Sequence, residues 1–133
     1  MERLVYFLVI SGLLAAGYVG LRRLQVIWLA RSSGTDPLLT PLRGGVPAIV
    51  YFTSPYCAPC RSTQRPAIER LQVEMGEALQ VIEVDATQDV DAANRWGVLS
   101  VPTTFVLDGR GIPREVNHGV AGMDRLKLQL QRI

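Results

Sequence analysis

Cys57 and Cys60 are the only cysteines in the chain, three residues apart in Ser54-Pro55-Tyr56-Cys57-Ala58-Pro59-Cys60. A disulfide between them would close so small a loop that it could barely restrain the unfolded chain. The spacing therefore asks for a chemical reason. The segment follows an apolar, β-rich run, Pro47–Thr53, and opens a helical pattern. A thiol at a helix N-terminus faces unpaired backbone N–H groups and the positive end of the helix dipole. Both favour the thiolate, which is the attacking species in disulfide exchange. Cys57, first in the turn, is expected to be the exposed nucleophile. Cys60, one turn in, is expected to be sheltered and to resolve a mixed disulfide. Pro59 fixes the backbone between them and suits a first helical turn.

Other chemistries fit less well. A structural zinc site needs four ligands, and His118 is the only histidine, so no metal ligand set is expected. Copper(I) on two thiolates stays open, as does a pair of unrelated buried cysteines. The formal net charge is +2, and Lys127 is the only lysine. The arginines are scattered and do not interleave with aromatics, which argues against nucleic acid as a partner.

The pair must be positioned by the elements around it. Pro47–Thr53 reads as a buried strand, and 57–75 as a helix kinked by Pro66, with Ile68, Leu71, Val73 and Met75 on its apolar side. Leu79–Asp85 reads as a second strand, Val90–Trp96 as a short helix ended by Gly97, and Thr103–Leu107 as a third strand. Asp108-Gly109-Arg110-Gly111 marks a hairpin into a fourth strand, Pro113–His118. Met123–Ile133 reads as a last helix with Leu126, Leu128 and Leu130 as core candidates. The order β-α-β-α-β-β-α predicts an α/β domain, a mixed sheet covered by helices on both faces, with helix-linked strands parallel.

Ahead of this lies an uncharged run, Leu4–Leu21, closed by Arg22 and Arg23. As a helix it would reach about 27 Å, close to the hydrocarbon thickness of a bilayer. Tyr6 and Tyr18 stand near its ends, where such rings favour the headgroup level. A single-pass anchor through residues 4–21 is the favoured reading; a cleaved signal peptide and a buried core helix are the alternatives. Leu24–Arg31 either continues the helix into the interface, with Trp28 as an anchor, or begins the folded domain. The organisation expected is an anchor with its flank at 1–31, a Ser/Gly/Pro/Thr-rich linker at 32–45 with a short strand near Leu38–Thr40, and a domain at 46–133.

From about Val46 to Ile133 the sequence resembles the thioredoxin family. The Cys-Ala-Pro-Cys motif sits between strand and helix, and Pro66 falls near the family's helix kink. Trp96-Gly97-Val98 followed by Val101-Pro102-Thr103 is similar to the family's Gly-Val-x-x-x-Pro-Thr segment. Asp108-Gly109 resembles its hairpin, and Gly119 the glycine beside its substrate groove. The resemblance implies a thioredoxin-like fold and a cis peptide at Pro102 lying against the dithiol. It also implies that the Val101 backbone pairs with an extended substrate segment, as in strand addition. Val101, Pro102, Tyr56 and Pro59 are then the expected substrate-side residues.

The departures are as informative. Tyr56 stands where the family has tryptophan, and Ala58 where ordinary thioredoxin has glycine. Tyr51 replaces a buried aspartate that relays protons to the resolving thiol, and Val81 replaces that aspartate's lysine partner. Losing only one member would leave a buried unpaired charge. Glu83, on the same strand face as Val81, is either a substitute base or a surface glutamate. His118, beside Gly119, either tunes Cys57 or ends a strand in solvent.

The resulting expectation is a membrane-tethered thiol–disulfide oxidoreductase. Its partners would be protein disulfides or dithiols, a redox donor or acceptor protein, and the lipid bilayer, with no cofactor. An accessory or assembly module of a membrane complex, with little turnover, is the alternative. Arg22, Arg23 and Arg31 outweigh Glu2 and Arg3 around the span, which places the domain in the cytoplasm. The resemblance points outward instead, since many tethered relatives face the other side.

Overall fold

The computed structural model describes residues 1–32 and 36–133. In β1 (Ala48–Thr53) every residue is buried, because both faces of the strand are covered. Ile49 and Tyr51 enter one apolar cluster; Ala48, Val50 and Phe52 enter the other. β2 (Gln80–Asp85) runs parallel to β1. β3 (Thr103–Leu107) is antiparallel to β1, and β4 (Pro113–His118) is antiparallel to β3. The sheet order is β2-β1-β3-β4.

The mixed sheet is as expected, but the rule that helix-linked strands lie parallel holds only for β1 and β2. α3 (Val90–Arg95) explains the difference. Its 6 residues rise about 9 Å, too little to carry the chain back along a strand of about 20 Å. β3 therefore starts at the end where β2 stops and runs the other way.

α2 (Arg65–Met75) and α4 (Met123–Gln131) cover the Ile49/Tyr51 face through Ile68, Leu71, Leu126 and Leu130. Leu128 and Val73, expected in the core, are exposed. Leu128 lies two residues from both Leu126 and Leu130, which puts it on the far side of a 3.6-residue turn. Pro66 disturbs the helix as its chemistry requires. It has no N–H to offer, and the turn before it widens over Cys60–Gln64, with the Arg65 N–H reaching the Cys60 carbonyl.

The opposite face is covered by α3, with Ala92, Ala93 and Trp96, and by α1 (Glu2–Ser32). From Glu2 to Arg31, α1 is long and apolar enough to cross a membrane by length and composition. Its last turns belong to the folded domain. Leu29 is 3% exposed within the core, and Val26 packs against the same cluster. The Arg22 Nε donates to the Val116 carbonyl at 2.6 Å, and Arg22 pairs with Glu115. The Gln25 amide donates to the Trp96 and Gly97 carbonyls at 3.0 and 3.2 Å. The boundary expected after residue 31 thus follows a helix already docked in the core.

The linker expected at 32–45 lies partly outside the described residues, at 33–35. Beyond them, the strand expected near Leu38–Thr40 is instead a turn of 3-10 helix, Pro37–Leu39. Asp36 caps it by accepting from the Leu38 N–H at 3.0 Å, and Pro37 suits its first position. Leu38, Leu39 and Leu42 then pack on the core, so this segment is structured.

Candidate active site

The site gathers at one end of the sheet. β1 ends at Thr53, and a turn delivers Cys57, whose N–H donates to the Ser54 carbonyl at 3.2 Å. Ser54 Oγ accepts from the Tyr56 N–H at 3.2 Å and tightens this turn. The helix then begins at Ala58, with Pro59 in its first turn. Cys57 and Cys60 are joined by a disulfide with Cα atoms 5.3 Å apart. Cys60 is fully buried, whereas Cys57 is half-buried and Tyr56, Ala58 and Pro59 are exposed. The Cys60 N–H donates to Cys57 Sγ at 3.2 Å. In the reduced protein such a donor favours a thiolate on Cys57.

The Val101–Pro102 peptide bond is cis. It opens β3 at the same end, since Thr103 pairs with Phe52 on one side and His118 on the other. Val101 and Cys57 both pack against the cluster that contains Cys60. The Pro102 carbonyl is taken by the Gly119 N–H at 2.9 Å. Gly119 holds φ +84°, a backbone region that favours glycine, so the residue bonded to the cis-proline segment is glycine for conformational reasons.

Tyr51 points toward Cys60. Its hydroxyl lies 3.2 Å from the Cys60 carbonyl and 3.1 Å from Thr53 Oγ1. A carbonyl can only accept, so the Tyr51 O–H donates there and can accept from Thr53. Burial raises the Tyr51 pKa, keeping the phenol neutral. Tyr51 is therefore a structural donor that satisfies the carbonyl at the widened turn. Glu83 sits opposite Tyr51 in the β1–β2 register, and its carboxylate accepts from Arg65 at the surface. His118 lies on the other side of the sheet. It shares the face of Val116, which belongs to the α1 and α3 cluster, and its ring meets Tyr18 edge-on at 6.4 Å. Burial and then the Arg22 charge lower its pKa.

One contributor carried no sequence signal. Gln64 is fully buried, donates to the Ala121 carbonyl at 2.9 Å and accepts from the Ala121 N–H at 2.8 Å. It fastens the widened turn to the loop after Gly119. A glutamine on a helix otherwise bearing arginines reads as surface, and only the 57-residue long-range contact reveals its role.

A thioredoxin family model matches residues 43–132. The chain belongs to the thioredoxin family. Among curated relatives, thioredoxin of Bacillus subtilis (strain 168) is 36% identical over 66 residues, covering 49% of this chain and 62% of that protein. Thioredoxin M4, chloroplastic, of Arabidopsis thaliana is 28% identical over 91 residues, covering 68% of this chain and 46% of that protein. The chain thus spans between 46% and 62% of the length of these two family members. The X-ray structure of Fasciola hepatica thioredoxin superposes with TM-score 0.59 at 27% identity, over 67% of this chain and 82% of that one. A malaria parasite thioredoxin-2 superposes with TM-score 0.62 at 19% identity, over 66% of this chain and 84% of that one, which bears on the family fold alone.

Proposed function

We propose that this protein is a membrane-tethered thiol–disulfide oxidoreductase acting on protein substrates. The observation that carries this reading is the asymmetry of the cysteine pair: Cys60 is sealed in the core while Cys57 is partly open and receives the Cys60 N–H. In the reducing direction the Cys57 thiolate attacks one sulfur of a partner disulfide. A mixed disulfide forms and the partner's other sulfur leaves as a thiolate. The Cys60 thiolate then attacks Cys57 Sγ, closing Cys57–Cys60 and releasing the second partner thiolate. Two electrons pass to the partner, and the two protons lost by the cysteines end on its two thiols. A dithiol donor protein restores the reduced pair; run backwards, the same steps oxidise a dithiol. Val101, Pro102, Tyr56 and Pro59 form the substrate side.

Tethering is supported by the length and composition of α1. The excess of Arg22, Arg23 and Arg31 after the span favours the cytoplasmic side, where thiols are kept reduced and the reductase direction follows. The test is insulin reduction by the full chain in nanodiscs, driven by dithiothreitol. Cys57→Ser is expected to abolish it, and Cys60→Ser to accumulate a mixed disulfide. A wild-type protein without activity would favour the accessory-module reading, to which the loss of the buried relay at Tyr51 and Val81 also lends itself. An impermeant thiol reagent on intact cells tests the side; labelling of Cys57 from outside overturns the cytoplasmic assignment.

A further inference from the structure

The direction in which α1 crosses the sheet has a consequence for where the dithiol stands. Tyr18 meets His118 at the last residue of β4. Arg22 meets Val116 and Glu115 further back along that strand. Ala30 and Arg31 border a cleft with Gly111 and Ile112, ahead of the start of β4. Helix and strand therefore run antiparallel, and α1 leaves the domain past His118. That is the end of the sheet where Gly119 holds Pro102 and where Cys57 emerges.

The remainder of the helix, Leu4–Gly17, continues beyond this end without interruption for about 20 Å. Since Leu4–Leu21 is the uncharged run, Tyr18 lies inside the segment that would occupy the bilayer. The level of His118, and with it the cis-proline loop, coincides with the interfacial end of the span. The side chains projecting at this end suit such a place. Tyr56 is 88%, Leu99 99% and Val120 41% exposed, and they flank Cys57, the cis-proline segment and Gly119 respectively. An exposed tyrosine belongs at the headgroup boundary, where amphipathic rings are enriched.

We infer that the dithiol end of the domain rests against the bilayer surface. The substrates are then cysteines of integral membrane proteins at headgroup level. This rests on the proposed exchange activity for its substrate class and on the tether for its orientation. The oxidation step is the one given above, with the partner disulfide borne by a membrane protein.

Depth of the two ends decides the orientation. A nitroxide on Cys57, in full-length Cys60→Ser protein in phosphatidylcholine/phosphatidylglycerol vesicles, is compared with one at the opposite end, introduced by Arg110→Cys in a Cys57→Ser, Cys60→Ser background. The Cys57 label is expected to show a several-fold higher ratio of oxygen to water-soluble nickel accessibility. Equal ratios, or the reverse order, overturn the orientation, as does a mature chain lacking Leu4–Gly17. Exchange decides the substrate class. Vesicles carry the full chain, its Cys57–Cys60 pair first reduced to the dithiol and excess reductant removed, with a lipid-anchored disulfide peptide, either at the surface or raised on a rigid helical spacer of about 30 Å. The surface peptide is expected to be reduced at least tenfold faster; equal rates overturn the substrate class. Reduction of neither peptide, with the Cys57 label still at the headgroups, defeats the exchange reading and leaves the orientation standing.

Discussion

The Tyr51 hydroxyl donates to the Cys60 carbonyl, 3.2 Å away, across the turn that Pro66 widens. That carbonyl also receives the Arg65 N–H, so its two lone pairs are both used. Tyr51→Phe removes one of these bonds and leaves the Thr53 hydroxyl short of a partner. The expected cost is about 1 kcal/mol, read as a lower urea midpoint at unchanged slope. Tyr51→Asp is expected to cost more, about 3–5 kcal/mol, because a buried carboxylate would stand opposite Glu83 in the register, with valine and no lysine at position 81. A Tyr51→Asp protein as stable as wild type would show that the missing relay pair is not a coupled loss.

Asp36 governs a second, pH-dependent contribution. Burial by itself would raise its pKa, but hydrogen bonds from Arg95, the Leu38 N–H and the Trp96 indole outweigh this and hold it below the ordinary value. A carboxylate with a depressed folded pKa contributes stability that is full above its unfolded pKa, about 3.9. It is lost as pH falls through the folded value. Asp36→Ala is expected to cost about 1.5–3 kcal/mol at neutral pH and to flatten the stability–pH curve below about pH 4, measured by urea titration at several pH values.

Glu83 and Arg65 offer a contrast. Their side chains are 46% and 44% exposed. Such a pair contributes within about 0–1 kcal/mol and is screened by salt. Glu83→Gln is expected to leave stability within about 0.5 kcal/mol and the Cys60 titration unchanged. A shifted Cys60 titration in this variant would instead assign Glu83 a share in proton transfer.

The His118 ring reports on the docking of α1. Burial first, and the Arg22 charge second, lower its pKa. Arg22→Gln is expected to move the midpoint upward while leaving it below about 6.5, followed by proton NMR. A folded-state histidine pKa below the unfolded one withdraws stability as pH falls below about 6.5. Mild acid should therefore loosen α1 before the sheet, seen as faster amide exchange in Leu24–Ala30.

Leu29 sets the practical limit of the domain. Leu29→Ala is expected to cost about 2–5 kcal/mol. A fragment of 46–133 should unfold at markedly lower urea than one of 20–133, since it lacks Leu29, Arg22 and Gln25 together. Equal midpoints would make α1 a passive attachment.

The dithiol turn, the strand limits at Thr103–Leu107 and Pro113–His118, and the cis-proline segment were legible because each depends on local pattern or on a motif with a fixed order. What escaped depends on distant partners. Leu29 follows an apolar run whose composition alone says lipid, and nothing local distinguishes a residue facing acyl chains from one facing Val50 and Phe105. Leu38–Thr40 looks like a strand until Asp36 finds Arg95 and Trp96 some 60 residues further on. The antiparallel entry of β3 followed from the shortness of α3, a length effect that the order of elements did not carry.

The union of α1 with β4 also orders events in time. Arg22 and Val116 are separated by 94 residues, so α1 leaves the ribosome well before β4, the strand that completes its contacts. Until that strand is made, the Arg22 guanidinium has neither the Val116 carbonyl nor the Glu115 carboxylate to bind. Such non-local closure delays completion of the fold until β4 has been synthesised. The nascent chain must therefore wait with α1 already made, and a truncated product ending before Pro113 would keep that helix while lacking the strand it docks on.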